Sequence, residues 1–239
     1  DKDQGNSGKK DQRYRITFLK GMAGYDHSFG KHKVSALLVA DLNQIQDQNV
    51  QKGYLRNYTN YSGRVNYNYD DRYLAEAVYT RGGYNWLAPG NRWGNYWGMG
   101  AAWNGHNESF VKDLKIFSTL KPRISYAVTG QAMCDYAEYK QSYSTFKVHL
   151  YGGPFDNKWT EENKTPSRLN PEIAKKLNVG IDLGFFNDRL SATFDYYQNK
   201  FSDVVATSEI KTAILGNVYP RTNCEKYSYT GTEVVLTWQ

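Results

Sequence analysis

Between Pro171 and Val205, apolar and polar residues alternate along two consecutive runs separated by Asn187-Asp188. Leu177, Val179, Ile181, Leu183 and Phe185 hold one parity, and Asn178, Gly180, Asp182 and Gly184 hold the other. After the turn, Leu190, Ala192, Phe194 and Tyr196 alternate with Ser191, Thr193, Asp195 and Tyr197. Successive side chains of an extended strand point to opposite faces, so the pattern predicts a long antiparallel hairpin with one oily and one polar face. Ordinary strands run about 5–6 residues. Strands of roughly 13 residues with two such faces match an outer-membrane barrel wall, whose outside meets lipid and whose inside meets water.

The same period recurs along the chain. Alternating strands are expected over 13–26, 33–46, 56–69, 72–81, 93–104, 123–129 and 230–238. Phe110, Leu114 and Phe117 instead recur near the helical period, so one short helix is expected within 107–120, capped by Asn107 or Ser109. Residues 131–170 and 206–227 read as long irregular stretches, the first with a strand pair near Tyr143 to Leu150. Walking about nine strands alternately up and down sorts their connections. The turns at Gly30, Asp70-Asp71 and Asn187-Asp188 and the helical connection fall on one side; 47–55, 82–92, 131–170 and 206–227 fall on the other. Short turns on one rim and long loops on the other is the asymmetry of outer-membrane barrels. Nine is odd, whereas bacterial single-chain barrels have even strand numbers, so a section of a larger wall is expected.

Composition changes this picture little. Of 239 residues, 15% are aromatic, and the 21 Tyr and 21 Gly suit a wall with a wet lumen and aromatic rims. A soluble all-β protein is the bland reading of composition alone. Trp93, Trp97, Trp103 and Trp238 fall on strands and are expected in an interfacial girdle. Trp86 and Trp159 fall on outer loops, where an indole face can stack on a solute. No run approaches the roughly 18 apolar residues of a membrane helix. The net charge of +6 comes from scattered Lys and Arg, without a nucleic-acid footprint. Cys134 and Cys224 fit no metal spacing; they are read as free thiols, or as a disulfide if two outer loops fold together. The chain opens with DKDQGNSGKKDQ, without Met or a signal peptide, which is expected of a processed chain or of a section of a longer one.

Several segments together resemble a known family. Phe29-Gly30-Lys31-His32-Lys33-Val34-Ser35-Ala36-Leu37, Asn68-Tyr69-Asp70-Asp71-Arg72-Tyr73-Leu74, and Asn91-Arg92-Trp93-Gly94 with Ala101-Ala102-Trp103 are similar, in order, to SusC-like TonB-dependent outer-membrane transporters of Bacteroidetes. The block from Phe110 to Gly130, Leu169-Asn170-Pro171-Glu172, and the hairpin Asn178 to Tyr197 continue the resemblance. Ala127 departs from it where Gly is usual, Lys175 and Lys176 follow the Asn-Pro-Glu, and the tail after Val205 matches loosely. The resemblance implies a section of one β-barrel domain of roughly 22 strands, in the outer membrane of a Gram-negative bacterium, with the plug outside this chain. It also implies import of a glycan or peptide solute, a SusD-like surface lipoprotein as lid, and TonB acting through a segment outside this chain.

Candidate chemistry is sparse. His27, His32, His106 and His149 are scattered over turns and loops, and no nucleophile elbow, phosphate loop or dinucleotide fingerprint is present. No catalytic or metal residue and no cofactor is expected, and the chain is read as a non-enzyme. Arg13, Arg15, Arg64, Asn66, Asn68, Asn178, Asp182 and Asp195 are expected to face the lumen. Trp86, Tyr136, Tyr151, Phe155 and Trp159, with Tyr139, Tyr143 and Tyr219, are expected on outer loops near solute or lid. Two rivals remain: a small outer-membrane barrel enzyme of the protease kind, and a soluble β-rich glycan-binding protein.

Overall fold

The computed structural model describes residues 14–47, 54–135, 138–140, 143–146, 149–150, 153–154, 158–161, 167–207 and 220–239. Nine long strands form one antiparallel sheet. In chain order they are β1 (Tyr14–Phe29), β2 (His32–Asp47), β3 (Tyr54–Tyr69), β4 (Tyr73–Tyr84), β5 (Trp93–Trp103), β6 (Phe117–Gln131), β11 (Glu172–Phe185), β12 (Leu190–Thr207) and β13 (Arg221–Trp238). Each pairs with the next, and β6 pairs directly with β11. Between β6 and β11 lie four short strands. β7 (Tyr143–Phe146) pairs with β10 (Lys158–Glu161), and β8 (His149–Leu150) pairs with β9 (Gly153–Pro154). The expected strand pair near Tyr143 to Leu150 is therefore split between two partners further along the chain.

Primed turns close the tight ends, because their twist matches that of the flanking strands. Asp70 and Asp71 both take positive φ (55° and 53°), and Gly30 takes 58° in the first turn. Asp188, in the last turn, accepts from Ser118 Oγ (2.7 Å) and Thr119 Oγ1 (3.0 Å). The helical connection is a 3-10 turn (Gly105–Asn107) followed by α1 (Ser109–Leu114). Neither Asn107 nor Ser109 caps it. The cap position is Glu108, without a side-chain cap bond. The Glu108 carboxylate accepts instead from Arg72 Nη1 (3.1 Å), Tyr73 OH (3.0 Å) and Trp103 Nε1 (3.4 Å). Asn107 Nδ2 donates to the Asp71 carbonyl (2.8 Å), tying the connection to the neighbouring turn. The other end of the sheet carries the longer connections, as the up-and-down walk requires. One expectation is shortened: both ends of 206–227 are strand, since β12 runs to Thr207 and β13 begins at Arg221 and pairs with β12 across register shifts between Phe201 and Val205.

Register gives the sheet two faces, because directly paired residues share a side. One face carries His27, Phe29, His32, Tyr67, Tyr69 and Tyr73 near the tight turns; rings stack there from Tyr25 to Tyr73. Further along the same face are Ala75, Met99, Ile124, Val179, Ile181, Phe194 and Val234. Trp93, Trp97, Trp103 and Trp238 all lie on it too. Phe110 of α1 stacks on Trp103 at 6.3 Å. The other face is mainly polar through β2–β12, with Lys33, Asn66, Asn68, Glu76, Ser125, Arg123, Asp182 and Asp195, although Leu37, Val39, Leu74 and Val78 of β2 and β4 also stand on it.

Candidate functional site

The polar face gathers its charges around Arg123. Gly180 is paired directly with Arg123 on one side and Asp195 on the other, so all three share a row. Having no side chain, Gly180 lets the guanidinium pass over it. A Cβ there would stand 2.5 Å from Asp195 Oδ1 and 2.8 Å from Arg123 Cζ. Arg123 thus donates from Nη2 to Asp195 (2.7 Å), from Nε to Asp182 (3.3 Å) and from Nη1 to Asn178 (3.2 Å). Thr193 Oγ1 donates to the second Asp182 oxygen at 3.1 Å. Asp195 Oδ1 has no partner. The cluster holds one cation and two carboxylates, a net negative spot on a half-buried wall.

Asn178, Asp182 and Asp195 are thus three expected lumen residues brought together, with Arg123 as the member that sequence reasoning left out. Its polar parity was visible; its pairing with a strand 40 or more residues later was not. Arg64, Asn66 and Asn68 share this face on β3. Asn66 Nδ2 donates to Ser35 Oγ (3.1 Å), and Asn68 Nδ2 to Asp71 Oδ1 (2.6 Å). Lys33 also pairs with Asp71 at 2.8 Å, and these two hydrogen bonds hold its carboxyl below the usual carboxylate range. Arg15 is a correction: its register places it on the opposite, aromatic face, level with Gln46. Period 2 fixes which residues share a face but not which face is inner. In β1, Ile16, Phe18 and Met22 share the side of Asn43 and Asp41 instead. Arg13 lies outside the described residues.

A second aromatic group stands on the polar face of β12 and β13. Phe201 stacks on Tyr227 (4.5 Å, 13°) and on Tyr229 (5.7 Å), and Tyr197 meets Tyr229 edge-on at 6.2 Å. Tyr227 and Tyr229 are about half exposed. The expected irregular stretch 206–227 takes in Tyr227, and the expected last strand starts at Thr230, whereas β13 begins at Arg221 and carries both tyrosines.

Among the described residues, the long-loop end holds the cluster of buried apolar side chains. Trp86, Leu87, Ala132 and Leu169 are buried together, with Tyr58, Tyr84, Cys134 and Val205 packed against them. Trp86 therefore does not offer its ring to a solute: its Nε1 donates to the Ala132 carbonyl (3.4 Å), Tyr84 abuts its edge and Arg56 lies over its face. The loop is sewn to the sheet by Asn85, whose amide takes the Asn57 N–H and gives to the Leu55 carbonyl, both at 2.8 Å. Arg221 bonds Glu138 through Nε at 2.8 Å. Nearby, Tyr96 is packed so closely over Gly94 and Gly130 that neither can carry a Cβ. Both cysteines are free: burial pushes the Cys134 thiol up to about 11, while Cys224 belongs to β13 and is exposed. The structure thus has the free thiols of the first reading and not the alternative disulfide. Tyr136, Tyr151, Phe155 and Tyr219 lie outside the described residues, as do the side chains of Tyr143 and Trp159. Tyr139 accepts from Arg92 at 3.5 Å.

His27 and His32 are stacked members of the aromatic row, and His32 Nδ1 bonds Tyr67 OH at 2.7 Å. Among the described residues, no group of three or more His, Cys, Asp or Glu is placed to hold a metal.

A family model described as TonB dependent receptor-like, beta-barrel matches residues 119–239, just over half of the chain. TonB-dependent receptor P3 of Formosa agariphila is 26% identical over 79% of this chain and 22% of its own length. TonB-dependent receptor SusC of Bacteroides thetaiotaomicron is 29% identical over 63% of this chain and 15% of its own. The chain thus spans about a fifth of the relatives it matches. The RagAB peptide importer in its closed-closed state superposes with a TM-score of 0.82 at 18% identity, over 94% of this chain and 28% of that one. These names are those of receptors and an importer, not of enzymes.

Proposed function

The chain belongs to the TonB-dependent receptor-like β-barrel family, and from that premise we propose that it forms nine consecutive wall strands of an outer-membrane nutrient importer. The single observation that carries this is the two-faced sheet. Its aromatic and aliphatic face is directed to lipid, and its polar face lines a wet lumen, with Arg64, Asn66, Asn68, Asn178, Asp182 and Asp195 on it. In this reading residues 1–239 are part of one barrel domain. The plug, and the segment through which TonB energises it, belong to other parts of the protein. The barrel is integral to the outer membrane of a Gram-negative bacterium and works with a SusD-like surface lipoprotein.

The solute is a glycan or a peptide. The aromatic group of Tyr197, Phe201, Tyr227 and Tyr229 on the lumen face supports either, since flat rings take the apolar face of a sugar or of a peptide side chain. The aromatic-rich segment 131–170 supports a partner at the mouth, because interfaces favour such residues. The test uses the full-length protein in its own cells. Cells with and without it are compared for uptake of fluorescent oligopeptides and fluorescent oligosaccharides. Loss of one class, restored by the intact gene, is expected; unchanged uptake of both overturns the proposal. Removing the tip around Gly153 and Pro154 is expected to release a co-purifying lipoprotein while the barrel stays inserted.

A further inference from the structure

On the aromatic face, three lysines stand together toward the long-loop end. Lys175 of β11 is paired directly with Lys200 of β12, and Lys200 with Ser228 of β13. Lys226 lies two residues along from Ser228 on the same side. All three are exposed, and with Ser202 and Ser228 they line one hollow of about 510 Å3 in the wall. Like charges opposite each other on neighbouring strands repel. None of the three has a carboxylate partner among the described residues. Asp203 also borders the hollow, but its carboxylate accepts from Ser202 Oγ at 3.3 Å. Another hollow of the wall is lined differently, by groups such as Met22, Leu38, Val39 and Tyr61.

The height of this cluster is fixed by the strands. Lys175 and Lys200 each stand ten residues from the turn-side ends of their strands, Phe185 and Leu190. At about 3.3 Å per residue and a tilt of about 40°, that is roughly 25 Å above the tight turns, the height of a barrel's apolar band. The residues below agree. Leu183, Ile181, Val179 and Leu177 lead up to Lys175; Ala192, Phe194, Tyr196 and Gln198 lead up to Lys200. The lysines therefore cap the apolar band at the outer boundary, where the outer leaflet of such a membrane presents phosphorylated glycolipid. An unpaired triad of ammonium groups flanked by the Ser228 hydroxyl has the charge and donors to hold a phosphate.

We propose that Lys175, Lys200 and Lys226, with Ser228, bind a phosphate of the outer leaflet's glycolipid on the outside of the wall. The inference rests on the barrel reading above, and the experiment separates the two. Full-length protein purified in detergent is incubated with diphosphorylated lipid A, with the same lipid dephosphorylated, or with inorganic phosphate, and bound species are read by native mass spectrometry. Wild type is expected to retain diphosphorylated lipid A, with at least a ten-fold fall for the dephosphorylated lipid and for the K175Q/K200Q/K226Q variant. K112Q/K115Q, at the opposite rim, is expected to bind as wild type. Equal retention by wild type and the triple variant, or of the dephosphorylated lipid, overturns the site. Retention of inorganic phosphate with no preference for the lipid overturns the assignment of the phosphate to glycolipid. Heat-modifiable migration is scored on every sample. If it is present while lipid binding is indifferent, this inference alone fails; if wild type lacks it, the barrel reading fails.

Discussion

The wall and the mouth of this sheet are held together by different means. Along the wall from β1 to β13, Leu19, Leu38, Met99, Val234 and Leu236 are all more than half exposed, and the strands are joined mainly by their ladders. At the mouth, Leu87 and Leu169 are each only 2% exposed, in a small core sewn by Asn85, Asn91 and Arg92. A soluble β protein of this size would bury its strand faces against one another. Here the cluster of buried apolar side chains sits at the mouth, and most large apolar side chains of the strands stay open. Stability should therefore respond to truncation at the mouth and to charge at the wall.

Leu87→Ala should have the largest effect, about 2–5 kcal/mol, because it opens a cavity in a packed core. Urea unfolding of the refolded full-length barrel, together with protease cutting of its outer loops, reads it. Leu183→Ala on the wall should cost far less, since lipid fills the space. Next, Ile181→Arg should cost roughly 2–4 kcal/mol near mid-depth, and Thr193→Arg on the other face much less. Equal costs would erase the distinction between the faces.

Gly180→Ala should cost about 1–2 kcal/mol, by pushing Arg123 off Asp195, with the half-exposed ion pair itself contributing modestly. Asn at position 195 in a double-mutant cycle should absorb part of that loss. The smallest effect is the pH dependence at Asp71. Its carboxyl is held low by Lys33 and Asn68 in the folded state, so its contribution is present above the unfolded pKa near about 3.9 and lost as pH falls through the lower folded value. D71N should lower stability slightly at neutral pH and flatten the acid limb of an unfolding curve, converging with wild type at the lowest pH.

The wall was legible because its alternation is regular: β11 and β12 have the expected faces residue by residue. Legibility failed where the pattern carries no sign. In β1 both parities mix apolar and charged groups, so the alternation does not reveal that Arg15 stands on the face opposite to that of Arg64 and Asn66. The Arg123 cluster needs the pairing of β6 with β11, which crosses a 40-residue excursion that leaves no mark on either strand. Trp86 reads from sequence as a loop aromatic open to solute, whereas the fold buries it. The adjacent Leu87 and Ala88, apolar inside an otherwise polar loop, were the sign of a local core. The start of β13 was hidden by its polar run, Arg221-Thr222-Asn223, which is set against the irregular end of β12.

The two-faced wall is tested most directly by spin labels placed one at a time along β11 and β12 of the full-length protein in bilayers. Accessibility to oxygen, which concentrates in lipid, and to a water-soluble nickel chelate is measured at each site. Labels at 177, 179, 181, 183, 192 and 194 should be open to oxygen, and labels at 178, 182, 193 and 195 to the chelate, alternating residue by residue. Accessibilities that do not alternate, or oxygen reaching both faces equally, would contradict the account.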